Sequence, residues 1–105
     1  MSYTLLEITR LVVHDTIEME LRGELDLSSA GQLEAELEKI HRQAKRVIID
    51  LSQLEFIDSS GVRTLLKAAS DAKLNGHTVV LLRARPEVQR IFEVAGLENN
   101  LPFAD

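Results

Sequence analysis

Residues 58–61 read Asp-Ser-Ser-Gly, a short polar stretch beyond the apolar run Val47-Ile48-Ile49. That order predicts a buried strand, a loop, and a helix opening on two hydroxyls and a glycine. A helix start carries unpaired backbone N–H groups and partial positive charge, so it suits anions. Serines placed there can cap the helix, bind a phosphate, or accept one covalently. Asp58 is a good cap in its own right, because its carboxylate can accept from the amides of Ser60 or Gly61. Ile57 and Val62 have the spacing of a hydrophobic staple. Gly61 costs a first helical turn roughly 0.5–1 kcal/mol against alanine, and it would let another backbone approach Ser60. Two solvent-facing hydroxyls beside an acid also form an accessible phosphoacceptor. A phosphoryl group there would add about −1.5 to −2 charges without unwinding the helix.

Other chemistries fit less well. A serine hydrolase elbow reads Gly-x-Ser-x-Gly, and its nucleophile needs a base in reach; neither is present in the loop. His14, His41 and His77 fall in a turn, on a polar helix face and before a strand, without metal-ligand spacing, so no catalytic residue, metal or cofactor is expected. Cradling a nucleotide would take several glycines and a lysine. The 105 residues contain no cysteine and carry a net charge of −5, which removes thiol chemistry and argues against nucleic acid as a partner. No window approaches the ~20 apolar residues of a membrane span, and the first residues, Met1-Ser2-Tyr3-Thr4, lack the pattern of a secretory leader. One cytoplasmic domain over residues 1–105 is the expectation, with no membrane partner.

The elements that must position the serines follow from periodicity. Thr4 to Val13 reads as a strand, His14-Asp15 as a turn, and the alternation of Ile17, Met19 and Leu21 as a half-buried second strand, giving a hairpin. Ser28-Ser29-Ala30-Gly31-Gln32 starts a helix, with Ser29 and Gln32 as a capping box. Leu33, Leu37, Ile40 and Ala44 form its buried stripe, and Glu38 with Arg42 an exposed pair. Val47-Ile48-Ile49 is an interior strand. The serine loop then opens a helix with Val62, Leu65, Leu66 and Ala69 inward, which stops at Asn75-Gly76. Val79 to Leu82 is the next interior strand, parallel to the first by a right-handed crossover. Pro86 opens a helix with Val88, Ile91, Phe92 and Ala95 on one face, and Gly96 closes it. Leu97 to Asp105 adds a turn or a short edge strand. The fold class is therefore α/β: a mixed β-sheet with an N-terminal hairpin and a parallel β-α-β crossover packed on helices. The serine loop stands at the carboxyl end of an interior strand, where open sheets tend to place their sites.

Three segments in this order resemble the STAS family of bacterial anti-sigma factor antagonists and together span almost the whole chain. Val47 to Leu66, with Asp58-Ser59-Ser60-Gly61-Val62, resembles the phosphoacceptor region. Arg22-Gly23-Glu24-Leu25-Asp26 is similar to the turn between the family's second strand and first helix. Val88 to Leu97 is similar to its last helix and Gly-Leu stop. The resemblance implies a non-enzymatic partner switch. The unphosphorylated antagonist binds an anti-sigma factor that is also a serine kinase and so frees a sigma factor for RNA polymerase; phosphorylation ends the binding, and a serine phosphatase resets it. By motif position it implies Ser60 as the phosphoacceptor, Asp58 as its neighbouring acid, and Ser59 and Gly61 as contact residues. Gly23, Glu24 and Asp26 would either extend the docking surface or serve only as a strand-to-helix corner. Like-charge repulsion of ~3–4 kcal/mol would weaken binding roughly 10²–10³-fold. Arg63 departs from the family, where many members carry a small residue; it could pair with the phosphate or select another partner. The alternatives are a STAS subunit of a transporter or stressosome-like complex, and a small enzyme.

Overall fold

Alternation buries Ile17, Met19, Leu21 and Leu25 along one face of Thr16–Leu25 (β2). The protein, seen in a computed structural model, is described over residues 4–104. Residues 1–3, where a leader would begin, and Asp105 of the tail lie outside the described residues. Glu7–Val13 (β1) pairs antiparallel with β2 across the His14-Asp15 turn, Val13 opposite Thr16. The expected hairpin is present; β1 begins at Glu7 rather than Thr4 and is an exposed edge strand.

The chain continues through Ala30–His41 (α1), Arg46–Ile57 (β3), Ser59–Leu74 (α2), Thr78–Leu82 (β4) and Pro86–Val94 (α3). The strands stand in the order β1-β2-β3-β4, with β2, β3 and β4 parallel. The β3-α2-β4 crossover is thus as expected, and a second one, β2-α1-β3, sets β2 directly beside β3. Register aligns Ile17 with Val47 and Val79, and Met19 with Ile49 and Leu81, so one face of the sheet is apolar across three strands. Leu33, Leu37 and Ile40 of α1 and Leu65, Ala68 and Ala72 of α2 complete the same buried cluster.

Five local expectations give way to the structure. β4, expected as an interior strand, is the last strand of the sheet, with only the Phe103 bridge beyond it among the described residues. The stretch after Leu51 is no loop: β3 runs on to Ile57, and register shifts at Glu20/Arg22 and Gly23/Glu24 accommodate its polar residues beside β2. The Ser29-Gln32 capping box does not form. Ser29 donates its hydroxyl to the Glu24 carbonyl at 2.9 Å, and the Gln32 amide donates to the Leu6 carbonyl at 3.2 Å. Glu38 and Arg42 make no ion pair among the described residues; Glu36 takes Arg10 and Lys39 instead, at 3.8 and 3.6 Å. On α3 the buried residues are Val88, Gln89 and Phe92, while Ile91 and Ala95 face out. Gln89 is drawn inward because its side-chain oxygen accepts from the Ala84 amide at 3.0 Å. The tail contributes buried Leu101 and a parallel bridge from Phe103 to Leu81, with the Phe103 ring edge-on to Phe92 at 5.2 Å.

The reassigned face of α3 has a measurable consequence. Phe92→Ala should cost about 3–5 kcal/mol in urea unfolding, against less than about 1 kcal/mol for Ile91→Ala; comparable losses would contradict the assignment.

Candidate functional site

The start of α2 and the Gly-Glu-Leu-Asp segment close on one another at the carboxyl ends of β2 and β3. The segment, expected as a turn, is the paired end of β2 as far as Leu25, and the chain turns only from Asp26. Leu25 and Ile57 are paired in register, and the Asp58 amide donates to the Leu25 carbonyl at 3.2 Å. Asp58 then leaves the strand in extended conformation and caps α2. Its Oδ1 accepts from the amides of Ser60 at 2.8 Å and Gly61 at 3.1 Å, two of the donors a helix start leaves unpaired. Its Oδ2 accepts from the Leu27 amide at 3.2 Å. One carboxylate therefore ties the start of α2 to the loop before α1. The Ser60 carbonyl accepts the Thr64 hydroxyl at 3.1 Å, so Ser60 is held through both its backbone groups.

The facing end of β2 is held just as closely. Gly23 has φ +98 and lies against the N-terminal segment; a Cβ there would collide with the Leu5 carbonyl oxygen. The Glu24 carboxylate accepts from the Thr4 amide at 3.0 Å. Asp26 Oδ1 accepts from the Ser28 hydroxyl at 2.6 Å and the Ser28 amide at 3.0 Å. The Ser28 hydroxyl, foremost among these hydrogen bonds, holds the Asp26 carboxyl below the usual carboxylate range, against a smaller opposing effect of burial. Asp26 is thereby a fixed anion that shapes the turn.

These contacts divide the expected site residues into two groups. Gly23 and Gly61 are buried. A Cβ on Gly61 would stand 2.7 Å from Ile57 Cγ1 and 2.8 Å from both Leu25 Cγ and the Leu25 carbonyl oxygen. The close approach expected to need this glycine is thus made inside the chain, by β2. Glu24, Asp26, Asp58 and Ser60 are half-buried, and Ser59 is exposed. Beside them stand two residues that no motif singled out: Leu27, 78% exposed with its amide held by Asp58, and Phe56, 45% exposed and paired in register with Glu24. An apolar residue inside a polar turn was the available signal for Leu27. Arg63 is exposed on α2, three residues beyond Ser60, the spacing at which helix side chains meet.

The histidines stand elsewhere. His14 is in the β1–β2 turn at φ 57, while His41 and His77, which the sequence sets apart, meet at the amino ends of β3 and β4. Among the described residues no cluster of three or more His, Asp or Glu side chains could hold a metal ion. A cavity of about 590 Å³ lies between α2 and the C-terminal segment, by His77 and Leu101, away from the serines. The serines instead occupy an outward surface on a rigid helix start, an arrangement that can offer a hydroxyl to an enzyme bringing its own base.

The family model described as Mlab, STAS domain matches residues 12–102. The chain belongs to the STAS domain family. This STAS domain is 34% identical over 86 residues to BtrV of Bordetella bronchiseptica, assigned as an anti-sigma factor antagonist, a match covering 81% of this chain and 74% of that protein. SpoIIAA of Bacillus, an anti-sigma factor antagonist solved in its unphosphorylated form, shares the fold with a TM-score of 0.75 at 25% identity, over 96% of this chain and 89% of that one. An anti-sigma factor antagonist from Mycobacterium paratuberculosis shares it with a TM-score of 0.83 at 22% identity, over 94% and 85% of the two chains. Among the described residues the STAS domain has no helix long and apolar enough to cross a membrane.

The bridge at Asp58 can be tested by substitution. Asp58→Ala should cost the STAS domain about 1–2 kcal/mol in urea unfolding. Asp58→Asn should cost less, since it keeps one oxygen for the α2 amides and loses the acceptor for Leu27. An alanine variant as stable as wild type would contradict the bridge.

Proposed function

We propose that this STAS domain is an anti-sigma factor antagonist switched by phosphorylation of Ser60. In its unphosphorylated form it binds an anti-sigma factor that is also a serine kinase, and that binding frees a sigma factor. The names of the relatives support the antagonist role and rank it above a transporter-linked one. The observation that carries the phosphoacceptor assignment is the Asp58 bridge, which holds Ser60 and Ser59 at the surface where the two loops join.

The physical reading is direct. The partner docks over Ser59, Ser60 and the adjoining loop, with Leu27 and Phe56 as apolar anchors at the rim of the hydroxyl patch. The kinase supplies ATP and its own base; the base takes the Ser60 hydroxyl proton, Oγ bonds to the γ-phosphorus, and the bond to the bridging β–γ oxygen breaks to release ADP. The product adds about −1.5 to −2 charges to a surface that already carries Asp26 and Asp58. A dianion is compatible with the positive end of α2, so the helix start survives while the docking surface becomes much more negative. Arg63 is close enough along α2 to meet the phosphoryl group and offset part of that charge. A serine phosphatase restores the binding form.

The acceptor is tested by intact mass after incubation with ATP and the anti-sigma factor kinase that the unphosphorylated chain captures. Wild type should gain one phosphoryl group and Ser60→Ala none, with Ser59→Ala still modified. Equal modification of wild type and Ser60→Ala would overturn the assignment.

A further inference from the structure

At the end of the sheet remote from Ser60, two histidines face one another across an element boundary. His41 is the last residue of α1, and His77 lies in the turn between α2 and β4, where its amide closes α2 on the Ala72 carbonyl at 2.8 Å. Their rings meet edge to face, centroids 5.2 Å apart and planes at 77°. The Nδ1 atom of each ring is buried without a hydrogen-bond partner. Both rings line a cavity of about 370 Å³ together with Glu38, Arg42, Asp71 and Asn75. Neutral rings in the Nε2–H form suit this place, because an edge-to-face contact needs no charge and a bare Nδ1 needs no acceptor. A proton on either Nδ1 would create a buried N–H facing no acceptor, and protons on both would set like charges about one ring apart.

We propose that His41, packed edge to face against His77, is an acid-sensitive latch joining the end of α1 to the α2–β4 turn, closed when the His41 ring is neutral and released when it takes up a proton. The surrounding charges do not cancel this. On α1 itself Glu34, Glu38 and Arg42 face the pair or its adjoining hollow; on α2 Lys67 and Asp71 do, already ion-paired at 3.8 Å, and Lys73 lines the neighbouring cavity with His77, where its positive charge also disfavours a proton on the pair. Burial, and then repulsion from His77, hold the His41 imidazole below its usual value, and the attraction of Asp71 only partly offsets them. A base that binds its proton less well in the folded chain than in the unfolded one favours the fold fully above the unfolded value, near 6.5. That contribution is lost as pH falls from there through the lowered folded value. The latch is independent of the Ser60 switch, since neither histidine touches the serine loop.

Two measurements on the whole chain test the latch. In an NMR titration of the histidine ring protons, His41 should titrate below 6.5 in wild type and move upward in His77→Gln. A midpoint unchanged by His77→Gln would overturn the coupling. In thermal melts at pH 7.5 and 5.5, wild type should lose roughly 2–5 °C more than His41→Gln. Equal losses would overturn the latch. The two arms use different variants, so failure of one to fold leaves the other decisive.

Discussion

The Asp58 carboxylate is shared between two loops, and the arrangement of the serine surface depends on that sharing. One oxygen satisfies the Ser60 and Gly61 amides at the start of α2, the other the Leu27 amide before α1. Each bond alone is worth on the order of 1 kcal/mol. Together they make the position of Ser60 depend on the β2–α1 loop and the converse. The parallel pairing of β2 with β3 makes this possible, because it brings both strand ends out at the same edge of the sheet. Gly61 is the steric counterpart: without a side chain the first turn of α2 can rest on Leu25.

This construction separates presentation from recognition. Glu24, Asp26 and Asp58 have their carboxylates committed to backbone amides of neighbouring segments, and Gly23 and Gly61 are inside. They hold the surface in shape. Ser59, Leu27 and Phe56 face outward, with Ser60 at their margin. In the proposed switch, a charge added at Ser60 acts on a surface already in place, so electrostatics alone changes binding with no refolding step.

Much of this was legible because it is local. The Asp58 cap involves residues two and three positions away, and the hairpin, the crossover and the helix stop at Asn75-Gly76 are short-range patterns. Non-local geometry was not legible. Ser29 has the spacing of a capping box, yet its hydroxyl is taken by the Glu24 carbonyl across the turn. The polar residues Ser52, Gln53 and Glu55 read as a loop, since nothing in β3 alone reveals the register shifts that keep them in the sheet. Ile91 fits the helical period of α3, but the tail and the Ala84–Gln89 bond turn that helix so that Gln89 is buried in its stead. Leu27 beside Asp58, and His41 against His77, join residues far apart in the chain that no spacing rule connects.

The central claim is that charge at Ser60 alone switches a preformed surface. It is tested most directly with phosphoserine installed at position 60 during synthesis, comparing affinity for the anti-sigma factor with that of the unmodified chain. Backbone amide NMR spectra of the two forms would be compared in parallel. The account predicts affinity lower by roughly 10²–10³, with shift changes confined to the serine loop and the facing turn. Undiminished affinity, or shifts spread across the sheet and the remote helices, would contradict it.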